Sequence, residues 1–287
     1  VKVRFLLFSL LLAGLAALPA MALDLTSPQD NLVAMRKIQC STVDGKVETY
    51  GWHGYVFSRV PGERDQRLFR VEGMNIRACG PLPDTDPSEG FKQVTREILL
   101  YQDPKTGEVV DTWENPWTGK SVKVIHVTND PVNQDYRAEG RGGQKFVLPF
   151  STMGNQWWLT TTVPLFYNNP LAGEYQEFIG GTYHATEMFN FFGDLNQLND
   201  ENIDSVMARV GWVRISRWLP WMEMGDRGGI LYFHTAGGKL NSYDDLSETM
   251  RNWIAKNTPE YASPPPLDDE RRNETSWTFF KKVLDAR

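Results

Sequence analysis

The stretch YQDPKTGEVVDTWENPWTGKSVKVIHVTNDPVN, residues 101–133, decides the fold class. Asp103-Pro104-Lys105-Thr106-Gly107 and Asn115-Pro116-Trp117-Thr118-Gly119 repeat one turn grammar. Each opens on Asp or Asn, continues with a proline that fixes φ, and ends in a glycine able to take the left-handed conformation that closes a hairpin. The flanking runs 98–102, 108–113 and 121–128 are rich in β-branched and aromatic residues, so the stretch predicts a three-stranded antiparallel meander.

The same pattern extends in both directions. Residues 47–60, VETYGWHGYVFSRV, alternate and stop at Pro61-Gly62, and 67–74, 145–150, 156–166, 183–192, 206–216 and 229–235 are further strand candidates. Pro81, Pro83 and Pro87 mark 80–90 as an irregular loop. Ser27 before Pro28 reads as a helix start, residues 195–204 as a loop or short helix, and Ser242 as the cap of a helix whose stripe is Leu246, Met250, Trp253 and Ile254. Pro264-Pro265-Pro266 is a stiff link, and Trp277, Phe280 and Leu284 share one face of a closing amphipathic segment. The sum is a mainly β chain: a single antiparallel β-barrel or strongly curved sheet, lipocalin-like in general shape, with two or three peripheral helices.

The 287 residues carry 30 basic and 36 acidic side chains, a net charge of −6. Lys2 and Arg4 precede an apolar run over 5–18, and Ala20-Met21-Ala22 follows, which predicts a signal peptide over 1–22 and one β-rich domain over 23–287 with a C-terminal helical segment. Without the leader the charge becomes −8, which argues against a nucleic-acid partner. No second run approaches the roughly 20 apolar residues of a membrane span, and no cysteine follows the cleavage site to carry a lipid. A periplasmic or secreted protein without a membrane anchor is expected. Cys40 and Cys79 are then either a disulfide or two buried thiols, and an oxidising compartment favours the bridge.

Residues 101–133, together with LFRVEGMN at 68–75, LPWMEMGDR at 219–227 and SWTFFKKVLD at 276–285, closely resemble the bacterial domain of unknown function 1838 family. The likeness spans nearly all of the chain after the leader. It implies no particular activity and carries over no catalytic residues.

No phosphate-binding Gly-Lys-Ser/Thr loop, Gly-x-Ser-x-Gly elbow or His-Glu-x-x-His helix is present, so chemistry is sought in strand parity instead. His53 alternates with Tyr55 and Phe57, His126 with Val122 and Val124, and His234 with Ile230 and Tyr232. Glu187 alternates with Tyr183, Phe189 and Phe191, and Arg214 with Val210 and Trp212. If those faces line one interior, His53, His126, Glu187, Arg214 and His234 converge as catalytic candidates. Tyr55, Trp158, Tyr183, Phe189, Trp212 and Tyr232 would then hold the substrate. Burial would tune the His and Glu groups for proton transfer, while Arg214 would anchor a carboxylate or oxyanion.

This reading expects a small apolar or aromatic organic ligand and cofactor-independent isomerase, lyase or hydrolase chemistry. The competing readings are a non-catalytic periplasmic carrier and an envelope interaction protein whose rings serve core and interface. Each residue also has a structural explanation: a core histidine bonded to a carbonyl, an Arg214–Glu187 bridge, ordinary turn chemistry at Asn129-Asp130-Pro131. Glu223 and Asp226 with His184 or Glu187, or the trio His53, His126 and His234, are weaker cation candidates. No metal site is assigned from them, and no cofactor is expected.

Overall fold

In the computed structural model, which describes residues 22–167 and 182–286, the long strands are β1 (Glu48–Arg59), β2 (Gln66–Pro81), β3 (Gly90–Gln102), β9 (Gln156–Tyr167), β10 (Tyr183–Asp194), β11 (Arg209–Ser216) and β12 (Ile230–Leu240). Short strands β4 (Thr112–Glu114), β5 (Ser121–Lys123), β6 (Val127–Asn129), β7 (Gln134–Arg137) and β8 (Phe150–Met153) lie between β3 and β9. The helices are α1 (Pro28–Gln39), α2 (Leu195–Asn199), α3 (Glu248–Asn257) and α4 (Ser276–Asp285). The leader predicted over 1–22 lies, but for Ala22, outside the described residues. Among the described residues, no helix is long and apolar enough to cross a membrane.

The main sheet is antiparallel, in the order β6-β3-β2-β1-β12-β11-β10-β9-β8, with β7 also pairing with β3. This corrects the expected barrel: the mainly β class holds, but the sheet is neither closed nor strongly curled. Alternation and strand number specify a half-buried antiparallel sheet, and they do not encode the stagger that closure needs. The ends are short strands, three or four residues long, which limits the exposed edge.

The two predicted turns form, with Gly107 at φ 76° and Gly119 at φ 68°. The meander is only partial. Its middle run meets β3 through a single Gln102–Val109 bridge and then forms the separate β4–β5 hairpin. Residues 145–150 contribute a Glu139–Lys145 bridge and only the first residue of β8. Ser27 caps α1 as expected, its hydroxyl accepting from the Asp30 N–H. Ser242 caps a 3-10 turn, Tyr243–Asp245, while Ser247 caps α3. Cys40 and Cys79 are disulfide-bonded, tying the end of α1 to β2 with a Cα–Cα distance of 5.8 Å.

Register assigns the two faces of the sheet. Tyr50 lies opposite Asn75, which lies opposite Glu97; Glu187 lies opposite Arg214 and Phe189 opposite Trp212. Those side chains share one face with Trp52 and Arg77. On the other face, Met74, Ile76, Ile98 and Leu100 pack under Leu246, Met250 and Ile254 of the α3 region.

Candidate functional site: a mixed aromatic and charged cavity

A cavity of about 490 Å³ opens on the first face, with walls from β1, β2, β3, β9, β10 and β11 and from residues 132–136. Tyr50, Trp52, Phe189, Phe191 and Trp212 give it aromatic walls. Trp52 is seated by a missing side chain: a Cβ on Gly73 would stand 2.3 Å from its Cε2, so only glycine lets the indole lie across β2.

Four charged side chains reach the same space: Arg77, Glu97, Glu187 and Arg214. Arg214 Nη1 donates to Glu187 Oε1 at 2.5 Å, and its Nη2 donates to the Tyr183 hydroxyl at 3.0 Å. Burial works against the Arg214 charge, but Tyr183 and Glu187 outweigh it and hold the guanidinium above its ordinary value. Arg77 donates to Gln39 Oε1 and Asn75 Oδ1 and lies 4.8 Å from the centre of the Tyr50 ring.

Glu97 accepts from Asn129 Nδ2 at 2.5 Å and from Asn75 Nδ2 at 3.4 Å. Burial pushes its carboxyl up, the hydrogen bond from Asn129 opposes this, and the charge of Glu187 adds to the rise. The cavity therefore contains a carboxyl held above its ordinary value by burial, near a glutamate ion-paired with arginine.

Several polar atoms at this site have no hydrogen-bond partner among the described residues: Trp52 Nε1, Trp212 Nε1, Arg77 Nε, Arg214 Nε and Gln93 Oε1. Each is buried, and each belongs to a residue lining the cavity. A smaller adjoining cavity of about 50 Å³ shares Leu99, Val127, Trp212, Arg214 and Ser276 with the first and is lined by His126 and Trp277. His126 Nδ1 accepts from the Tyr101 N–H at 3.1 Å, and burial pushes the imidazole down to about 4.

The sequence profile of the family described as "Protein of unknown function (DUF1838)" matches residues 45–284. The chain belongs to that family. No curated protein matches it. The matched segment of this DUF1838 chain includes all four charged residues of the cavity.

Of the residues singled out by parity, Glu187, Arg214, Phe189 and Trp212 meet in the main cavity, while His126 and Tyr183 line the adjoining one. The others do not join them. His53 and His234 are exposed on the opposite face, with His234 paired in register to Tyr55. Tyr55 carries the Arg67 guanidinium 4.2 Å from its ring centre, and the Tyr232 hydroxyl donates to Asp65. Trp158 is turned away from the neighbouring Trp157, which is buried. The expected convergence of three histidines is therefore corrected, and with it the His53, His126 and His234 cation trio. Glu223 pairs with Lys120 at 3.4 Å, and among the described residues no three His, Cys, Asp or Glu side chains form a metal-binding group.

Strand parity over the runs 98–102 and 67–74 stops short of Glu97 and Arg77, which lie on β3 and β2 beyond those runs, and on β1 the histidine sits on the face opposite Trp52. Asn129, read as turn chemistry, instead steadies Glu97 from β6. Asp130 is engaged structurally, in ion pairs with Arg96 at 3.1 Å and Arg271 at 2.8 Å.

Proposed function

We propose that this protein binds a small aromatic or apolar carbonyl compound in the 490 Å³ cavity and moves a proton on it without a cofactor, as an isomerase or lyase does. The observation that carries the reading is Glu97, a carboxyl raised by burial and facing an aromatic-walled space that also contains the Glu187–Arg214 pair. A raised carboxyl is a stronger base once ionised, so ionised Glu97 takes a proton from the carbon beside the carbonyl to give the enolate and returns it to that carbon or, where the substrate is β,γ-unsaturated, to the γ-carbon of the dienolate, which shifts the double bond into conjugation. Glu187 positions Arg214, whose charge steadies the oxyanion that develops. Export to an oxidising compartment belongs to the same proposal, supported by the Cys40–Cys79 disulfide and the leader-like residues 1–22.

The test is solvent deuterium uptake, followed by NMR, in aryl ketones and aryl oxo-acids headed by 4-phenylbutan-2-one and phenylpyruvate. The protein is expected to accelerate uptake at the carbon beside the carbonyl, Glu97→Gln to abolish that acceleration, and Glu187→Gln to reduce it. Uptake equal in the parent and Glu97→Gln proteins for every compound would overturn the proposal.

A further inference from the structure

The two cavities follow one another along the strands. On β3, Thr95 and Glu97 line the main cavity, Leu99 lines both, and Tyr101 lines the small one. On β10, Glu187 lines the main cavity and Tyr183 the small one; on β11, Val210 lines the main cavity and Arg214 lines both. Leu99 and Arg214 therefore mark the seam. Side chains two residues apart on one strand face are about 6.6 Å apart, so Glu97 stands one such step from Leu99, on the main-cavity side.

The two sides of the seam differ in size and chemistry. The main cavity, about 490 Å³, has room for an aryl group against Trp52, Phe189 and Trp212. The small one, about 50 Å³, is walled by Ile125, Leu219, Phe233 and Phe280, and among the described residues no carboxylate lines it. A water-sized group takes about 10–15 Å³, so this space receives a short alkyl group and excludes a ring. It also disfavours a charged end. A carboxylate entering it would lose its hydration, and the arginine of its lining, Arg214, is already engaged by Glu187 and Tyr183.

We infer that the substrate is a ketone with an aryl-bearing chain on one side and a short alkyl group on the other: the aryl group fills the main cavity, the carbonyl oxygen meets Arg214 at the seam, and the alkyl group enters the small cavity. This assignment rests on the proposed proton-moving reading and names its substrate class. It also fixes the carbon that exchanges. Glu97 lines the main cavity and not the small one, so it takes the proton from the methylene on the aryl side of the carbonyl, leaving the enolate, and returns one to that carbon. Beyond the seam the alkyl group meets His126, which burial pushes down to about 4 and so leaves a weak base.

The experiment pairs calorimetric titration of the full chain with deuterium uptake followed by NMR. Three compounds share one phenylethyl arm: 4-phenylbutan-2-one, 1-cyclohexyl-3-phenylpropan-1-one and 2-oxo-4-phenylbutanoate. The methyl ketone is expected to bind at least about tenfold more tightly than the other two. Deuterium is expected to enter its methylene beside the carbonyl at least about tenfold faster than its methyl group. Phe280→Ala enlarges the small cavity and is expected to tighten the cyclohexyl ketone at least about tenfold, a gain that loss of folding cannot produce. Equal binding of the three compounds would overturn the small-cavity assignment, and uptake into the methyl group as fast as into the methylene would overturn the orientation; both leave the proton-moving reading standing. A methyl-ketone preference without accelerated uptake at either carbon would overturn that reading and keep the small-cavity assignment. No binding of any compound would overturn both. If Phe280→Ala is folded by circular dichroism and still rejects the cyclohexyl ketone, the small cavity does not receive the alkyl end; if it is unfolded, the selectivity of the parent protein decides.

Discussion

Replacing Gly73 by alanine sets two effects of opposite sign against each other at the cavity wall. Alanine in place of glycine within a strand ordinarily gains about 0.5–1 kcal/mol, because the unfolded chain loses freedom. At Gly73, however, the new Cβ would stand 2.3 Å from Trp52 Cε2, 2.4 Å from Cζ2 and 2.5 Å from Nε1. Ordinary carbon contacts are about 3.5–4.0 Å, so the indole must retreat by more than about 1 Å. Three ring atoms block the methyl group, so a small torsion of the side chain does not relieve the clash. Overpacking of this kind costs about 1–3 kcal/mol, which exceeds the backbone gain and leaves Gly73→Ala destabilised by about 1–2 kcal/mol. Gly211 in β11 is the internal control, because a Cβ there meets nothing within 4 Å. Gly211→Ala should stabilise by about 0.4–1 kcal/mol. Urea denaturation of the three proteins measures both shifts, and the near-ultraviolet circular dichroism of Gly73→Ala should change as Trp52 moves. If Gly73→Ala is as stable as Gly211→Ala, Trp52 does not lie across β2 and the cavity wall is wrongly drawn.

Two further outcomes are expected. Changing both Cys40 and Cys79 to serine opens a loop closed across a sequence separation of 39, which should cost about 4 kcal/mol on the chain-entropy account; a loss below about 1 kcal/mol by urea denaturation would contradict it. His126, held at about 4 by burial against about 6.5 when unfolded, makes stability depend on pH in one window only. Above pH 6.5 the imidazole is neutral in both states. Between 6.5 and 4 only the unfolded chain takes up the proton, so stability falls as pH drops, by up to about 3 kcal/mol, and the loss is complete below about 4. Subtracting the pH profile of His126→Gln should isolate that slope, and parallel profiles would count against a buried neutral imidazole.

Element types were largely legible in the sequence because most strands bury one face and leave the other half-exposed, which writes alternation into the residues. β3 defeats that rule. Lys92, Gln93, Thr95, Arg96 and Glu97 put polar groups on both faces of the strand, yet all but the partly buried Glu97 are buried. The sheet tolerates them because distant backbone receives their charges: Lys92 Nζ donates to the Asp269 carbonyl at 2.5 Å, and Arg96 donates to the carbonyls of Glu260 and Ser263. Those acceptors lie more than 160 residues away in sequence, so no local pattern announces them.

The same distinction separates the two carboxyl groups of the cavity. Glu187 and Arg214 face each other across adjacent antiparallel strands, and each alternates with rings, so parity alone could pair them. Glu97 depends on Asn75 from β2 and Asn129 from β6, and its raised carboxyl is a product of that burial. Parity was equally powerless on β1, where both faces carry rings: Tyr50 and Trp52 on one, Tyr55 and Phe57 on the other. What chooses between those faces is the space above Gly73, which admits the Trp52 indole only after β2 has paired with β1. The half of the site that sequence reveals is the half built from neighbouring strands with one aromatic face each. The half it hides is made by register, where a glycine on one strand positions a tryptophan on the next and an asparagine on a third strand steadies the acid.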